Sequence, residues 1–293
     1  MPVSYVHCDV FAPTPYSGNS LAVFIDPPHL TDAQMLMITQ ELRHFETIFV
    51  WPDGTGRGFS ARIFDLVEEL PFAGHPVLGA ACVMHGHAGR AAAGTWQVRL
   101  LGARTVDVDV EELESGWFAS IDQGPPEFGA VLTEAQIVQF ATAFGLHRSD
   151  IAPFAPQVIS TGLRYLVIPV ATGLSRARIT VTDLEARLDA IKADFVYLFD
   201  PKTFEGRHWN NDGVTEDIAT GSAAGPVGCF AVAHGLAKAG DIVALRQGHF
   251  IGRPSRMDVT VTGASSDIQR VYVAGPVSIV GHGTLEVLPP SDA

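Results

Sequence analysis

No apolar run in this chain is long enough, or unbroken enough, to span a bilayer. The strongest candidate, near positions 223–237, is interrupted by Gly, Pro and His, whereas a spanning helix needs about 20 predominantly apolar residues. The opening Met1-Pro2-Val3-Ser4-Tyr5-Val6 has no basic segment followed by a long apolar one, so no secretory leader is expected. Cysteine is scarce: Cys8, Cys82 and Cys229 form no CxxC and cannot all pair. A reduced, cytoplasmic protein is the simplest expectation. Positive charge is also scarce. Nineteen basic residues against 32 acidic ones leave a net charge of -13. Such a surface repels phosphate backbones and anionic lipid, so nucleic acid and membrane are not expected partners. Several familiar chemistries lack their motifs. No HExxH occurs and the eleven histidines show no ligand spacing, so no metal is expected. The string Gly54-Thr55-Gly56-Arg57-Gly58 lacks the Lys-Ser/Thr of a phosphate-binding loop and reads as a hairpin turn. No GxSxG elbow surrounds Ser222, so Ser222 is not an evident nucleophile.

What is present is a large stock of core. The 293 residues are 47% hydrophobic, which is ample for about two domains. Strand-like runs recur at 6–11, 21–25, 47–51, 59–64, 105–110, 166–170, 195–199, 242–245, 259–261, 271–273 and 277–280, several alternating apolar with polar residues. Helix-like segments are fewer. One begins at Leu30-Thr31-Asp32-Ala33-Gln34 and another at Leu132-Thr133-Glu134-Ala135-Gln136. Each has Thr followed three residues later by Gln, the capping-box form, and the shared string reads as an internal repeat. A second echo strengthens it. Gly74-His75 and Gly221-Ser222 each lead into an Ala/Gly-rich segment almost free of charge, with Cys82 seven positions after His75 and Cys229 seven after Ser222. A helix apolar on every side must be buried on every side. The expected class is therefore α+β, with two similar halves that each wrap strands around a central helix. The halves should divide near Gly124-Pro125-Pro126, with a terminal strand returning to the first half. The expected domains are 1–124 with 277–293, and 125–276. Thr161-Gly162 and Gly275-Pro276 read as turns.

The two glycine-led helix openings are the first functional candidates. A helix start offers unsatisfied N–H groups and the positive end of the dipole, and glycine lets a ligand approach closely. Gly74 and Gly221 together would hold a carboxylate without any arginine, although either alone is more often a plain helix start. Glu46, in His44-Phe45-Glu46-Thr47-Ile48-Phe49, sits at the mouth of an apolar strand, a setting that suits a proton-shuttling base. The competing reading is a solvated strand-end carboxylate. His75, in Phe72-Ala73-Gly74-His75-Pro76, is placed either to hydrogen-bond a substrate or merely to cap its helix. Asp217, in Glu216-Asp217-Ile218-Ala219-Thr220-Gly221-Ser222, is an ordinary choice before a helix, so alone it carries little.

At this point the ordered motifs resemble the PhzF-like phenazine-biosynthesis proteins, which share the diaminopimelate epimerase fold. The resemblance is carried by Asp9-Val10-Phe11, Gly18-Asn19-Ser20-Leu21-Ala22-Val23-Phe24, Glu46-Thr47-Ile48-Phe49-Val50, Glu69-Leu70-Pro71-Phe72-Ala73-Gly74-His75-Pro76, Ser160-Thr161-Gly162-Leu163, Glu216-Asp217 through Thr220-Gly221-Ser222, and Gln247-Gly248 before Gly252-Arg253-Pro254-Ser255. It implies two pseudo-symmetric halves, each a curved, barrel-like, mostly antiparallel sheet around a helix, with the site in the cleft. It implies a homodimer with no metal and no organic cofactor. Position by position, Glu46 matches the family's general acid/base. His75, Asp217 and Ser222 match its other polar site residues, and Gly74 and Gly221 match its helix-start glycines. The chain departs from the family pattern at Ser20, Asp65-Leu66, Ile218 and His208-Trp209-Asn210-Asn211. The last departure is where a pocket lining is expected, around Trp209 and Asn210, and it bears on the substrate.

The resembling epimerases use two thiols on opposite faces of one carbon. None of the three cysteines here stands at a helix start, which leaves one well-placed base. A single base shifts a proton along a conjugated system more naturally than it inverts a carbon. The expected activity is a cofactor-independent isomerase of a small unsaturated carboxylic acid, similar to trans-2,3-dihydro-3-hydroxyanthranilate isomerase. Glu46 would move the proton, His75 and Asp217 would orient a hydroxyl or amine, and the helix-start amides at Gly74, Gly221 and Ser222 would take the negative charge. The alternatives are an amino-acid epimerase or racemase with Asp217 as second base, and a non-catalytic small-acid binding protein.

Overall fold

The computed structural model describes residues 2–89, 92–114 and 116–290. The chain divides by contact into unit 1, Met1–Asp122 with Ala274–Ala293, and unit 2, Gln123–Val273. Residues 1 and 291–293, which the expected domain ranges include, lie outside the described residues. The first part of unit 1 supplies β1 (Val3–Val10), β2 (Asn19–Ile25), α1 (Asp32–Leu42), β3 (Glu46–Pro52), β4 (Gly58–Phe64), β5 (Glu69–Leu70), α2 (Gly74–His87), β6 (Gly94–Arg99), β7 (Thr105–Leu113) and β8 (Gly116–Gly124). Unit 2 supplies β9 (Glu127–Val131), α3 (Glu134–Ala143), β10 (Gln157–Ser160), β11 (Arg164–Pro169), α4 (Leu184–Asp189), β12 (Phe195–Phe199), β13 (Gly206–Arg207), α5 (Gly221–Ala233), β14 (Ile242–Gln247) and β15 (Ser255–Ala264). A last strand, β16 (Asp267–Leu285), starts in unit 2 and ends in unit 1.

In unit 1 the strand order runs β1-β2-β3-β4-β6-β7-β8-β16, and β16 pairs back onto β1, giving a barrel-like sheet. The β2–β3 and β4–β6 pairs are parallel, whereas β1–β2, β3–β4, β6–β7, β7–β8 and β1–β16 are antiparallel. Strand alternation divides the two faces. Cys8 and Val10 of β1, with Leu21 opposite Cys8, face α2. The approach there is close: a Cβ on Gly79 would fall 2.6 Å from Leu21 Cδ2 and 2.8 Å from Val10 Cγ2. Residues 75–85 of α2 are all buried, as a helix apolar on every side requires. The opposite face carries Ala22, Phe24, Phe49 and Phe64, and it is covered by Met35 and Ile38 of α1.

Unit 2 contains a five-stranded sheet of order β13-β12-β11-β10-β9, with β11–β12 parallel, and the β14–β15 hairpin beside β16. α3 and α4 bury Ile137, Phe140, Leu184 and Leu188 in a core shared with Leu166, Leu198 and Trp209. α5 meets β15 closely, since a Cβ on Gly228 would fall 2.4 Å from Val259 Cγ1. Both capping boxes are present. Thr31 and Gln34 exchange side-chain and backbone hydrogen bonds at the start of α1, and Thr133 and Gln136 do the same for α3.

One expectation is overturned. Gly275-Pro276 is no turn: it lies inside β16, which joins the separate runs 271–273 and 277–280 into one 19-residue strand. Proline's fixed φ is compatible with extended backbone at the cost of one donor, and the Pro276 carbonyl still accepts from Ala12 N–H at 2.9 Å. Gly54–Gly58 is the β3–β4 hairpin turn, with Gly54 and Gly56 at positive φ. Among the described residues, no helix is long and apolar enough to cross a membrane.

Candidate active site

In unit 1, Glu46 is the first residue of β3 and pairs in parallel register with Leu21. Leu21 faces α2, so strand geometry directs the Glu46 side chain to the same face. α2 opens after Ala73, whose backbone is extended, and no side chain caps it. Its first-turn N–H groups are thus left for another acceptor. A Cβ on Gly74 would meet nothing within 4 Å, so packing does not demand glycine there. His75 occupies the first turn, and its Nε2 lies 3.0 Å from Glu46 Oε2. The two atoms are within ion-pair distance but outside hydrogen-bond geometry, and both are buried without a hydrogen-bond partner. Buried polar atoms are almost always satisfied. A carboxylate and an imidazole that face each other unsatisfied can accept, hold and return a proton once a substrate completes the alignment.

In unit 2 the opening of α5 is built differently. Thr220 Oγ1 donates to Asp217 Oδ2 at 2.6 Å, and Ala219 N–H donates to Asp217 Oδ1 at 3.4 Å. Gln247, fully buried, ties this turn down. Its Nε2 donates to the Asp217 carbonyl at 2.8 Å and to Thr220 Oγ1 at 2.9 Å. Its Oε1 accepts from Thr220 N–H at 3.1 Å and from Tyr197 Oη at 2.8 Å. Both donors and both acceptor lone pairs of the amide are used. Gln123 Nε2 donates to the Gly221 carbonyl at 3.0 Å. Tyr165 Oη lies 2.7 Å from Ser222 Oγ. Burial pushes the Tyr165 phenol well above its ordinary value, so it stays protonated and can donate to Ser222. α5 has no side-chain cap.

Unit 1 therefore brings Glu46, Gly74 and His75 together, and unit 2 brings Asp217, Gly221 and Ser222 together. The 208–211 segment departs from expectation. Trp209 is no pocket wall: it belongs to the unit 2 core, beside Phe144 and under the Arg207 guanidinium. Asn210 is exposed, and Asn211 Nδ2 donates to the Asp194 carbonyl. Neighbouring residues in extended chain point to opposite sides, and it is His208 that packs against Tyr165. Sequence reasoning did not single out Tyr165, Thr220 or Gln247 as site residues. Gln247 stood in the last resemblance motif, but nothing local marks Tyr165, 57 positions from Ser222. All three cysteines are free and buried, and burial raises every thiol, Cys229 to about 12. None is a thiolate at neutral pH. Among the described residues, no group of three or more His, Cys, Asp or Glu is placed to hold a metal ion.

Residues 8–283 match the family described as phenazine biosynthesis-like protein. The trans-2,3-dihydro-3-hydroxyanthranilate isomerase of Pseudomonas fluorescens is 34% identical over 294 residues, covering 96% of this chain and 99% of the relative. The solved structure of a predicted epimerase from Pseudomonas aeruginosa is 45% identical with a TM-score of 0.88, covering 97% of this chain and 99% of its own. A hydroxyproline epimerase from Agrobacterium vitis, 11% identical with a TM-score of 0.60 over 99% of this chain and 94% of its own, shares the fold.

Proposed function

The chain belongs to the phenazine biosynthesis-like family and is a PhzF-type isomerase, and on that premise we propose that it moves a proton within a small unsaturated carboxylic acid without inverting a carbon centre. The observation that carries this reading is the buried, unsatisfied pair of Glu46 and His75 at 3.0 Å. Glu46 removes a proton from carbon and, now protonated, redelivers it further along the conjugated system. His75 and Asp217 orient a hydroxyl or amine. The uncapped amides at Gly74, Gly221 and Ser222 stabilise the negative charge that spreads into the carboxylate. The P. fluorescens relative's substrate name describes such an acid, and a compound of that class is the first to assay. The raised thiols argue against thiol-based inversion.

The same reading takes the two units as pseudo-symmetric epimerase-like domains, each a curved sheet around a helix. The paired capping boxes and the paired uncapped openings of α2 and α5 support it. It extends to a cytoplasmic homodimer that needs no organic cofactor and binds neither nucleic acid nor membrane. Three free thiols and the net charge of -13 are consistent with that.

Turnover in deuterated water tests the mechanism. The wild type should place deuterium at the protonated carbon, and Glu46→Gln should lose that exchange; a variant with full exchange removes Glu46 from the role. The 45% identical neighbour described as an epimerase keeps a second reading open, with Asp217 as the opposing base. Chiral analysis of the same product decides, because epimerisation predicts an inverted centre. A non-catalytic binding protein would instead bind small acids as well with Gln at position 46 and turn over none.

A further inference from the structure

The imidazole of His208 has no task in the mechanism above, and its environment restricts what it can do. The residue is 5% exposed. Its Nδ1 lies 2.9 Å from the Val196 carbonyl oxygen. A carbonyl only accepts, so Nδ1 must carry the hydrogen. The neutral ring then has a bare lone pair at Nε2, with no hydrogen-bond partner among the described residues, and this nitrogen is not one of the fully buried unpartnered atoms. Burial favours this neutral form, with the Asp217 carboxylate partly opposing it. The ring cannot swing away, because Tyr165, Phe195 and Tyr197 enclose it at centroid distances of 5.7, 5.6 and 6.4 Å.

The surroundings tie this acceptor to the α5 opening. The His208 carbonyl accepts from Asp217 N–H at 3.0 Å. Tyr165, which packs edge-on against the imidazole, reaches Ser222 Oγ in the first turn of α5. His208 thus touches Asp217 directly and reaches Ser222 through Tyr165. A core histidine ordinarily has both nitrogens satisfied. Here one nitrogen is fixed as a donor and the other is left as an acceptor beside the residues proposed to hold the substrate.

We propose that His208 is a specificity-determining residue whose Nε2 accepts a hydrogen bond from an amine or hydroxyl of the substrate. The carboxylic acid taken by this chain therefore carries an N–H or O–H donor near its carboxylate, and acids with no such group are disfavoured. The inference rests on the small-acid reading above. A site shaped around a substrate donor discriminates against analogues that lack it, because they leave its acceptor without that bond.

The test uses three unreactive aromatic acids, benzoate, 2-aminobenzoate and 3-hydroxybenzoate, with affinities measured by calorimetry on the full chain. The wild type should prefer at least one donor-bearing acid over benzoate by about 10-fold. His208→Phe keeps an aromatic ring but removes the acceptor, and it should reduce that preference to about twofold or less by weakening the donor-bearing acid while leaving benzoate unchanged. His208→Asn can keep an N–H to the Val196 carbonyl without an acceptor at the Nε2 position, so it gives the same readout if the Phe variant folds poorly. A preference that survives in the folded variant overturns the role of His208 alone. A wild type that binds all three acids equally does the same. A wild type that binds none of them overturns both this inference and the small-acid reading beneath it.

Discussion

The two helix openings differ in how their polar groups are satisfied. At α2, Glu46 and His75 face each other at 3.0 Å and neither buried atom has a hydrogen bond. At α5, Asp217, Thr220 and Gln247 form a closed network, and Ser222 is held by Tyr165. An unsatisfied carboxylate–imidazole pair is costly for a fold and useful for proton transfer. A satisfied network fixes geometry. In the proposed mechanism the first opening does the proton work and the second positions the substrate, although both begin with the same glycine-led pattern.

Five substitutions break or sharpen this contrast. The largest effect is expected for Glu46→Gln, which should lower kcat by roughly 10²- to 10⁴-fold while leaving the melting temperature unchanged or raised, since no satisfied bond is lost. A cooperative loss of stability instead would make the pair structural. Gln247→Leu should act in the opposite sense, costing about 3 kcal/mol of stability by breaking the four hydrogen bonds of the Gln247 amide, and would be read as a lower Tm and denaturant midpoint. A wild-type Tm in that variant would mean that the α5 opening does not depend on the network. Gly74→Ala comes next. Its new Cβ meets nothing within 4 Å, so stability should hold or rise by about 0.5–1 kcal/mol. KM should nevertheless rise by about 10-fold, because the methyl occupies the space a substrate needs; unchanged kinetics would remove this opening from binding. Smallest is the effect of Cys82→Ala and Cys229→Ala. Each should lose core packing but keep kcat within about twofold, and iodoacetamide at neutral pH should leave the folded wild type active. Inactivation by either route would bring thiol chemistry back into the mechanism.

Local signals carried much of this in advance. Thr31 with Gln34 and Thr133 with Gln136 are complete within four residues, so their capping boxes were readable. The charge-free segments after Gly74 and Gly221 announced buried helices for the same reason. Gly275-Pro276 misled because a turn dipeptide is only a local preference, whereas here it lies within a 19-residue strand whose Pro276 carbonyl is tied to Ala12 N–H. Trp209 misled because an aromatic next to a site motif says nothing of which way it points, and extended backbone turned it into the core beside Phe144.

The sequence by itself determined the elements, the two helix openings and the residue types available to them, because caps, periodicity and glycine act over a few neighbouring positions. It also determined the scarcity of thiols. Only the tertiary structure decided which polar groups are satisfied. The approach of Glu46 to His75, of Gln247 to Asp217 and Thr220, of Tyr165 to Ser222, and of His208 to Val196 depends on strand register and helix packing between residues far apart in the chain. Side-chain hydrogen bonding is sensitive to fractions of an ångström, and no local pattern encodes distances of that kind.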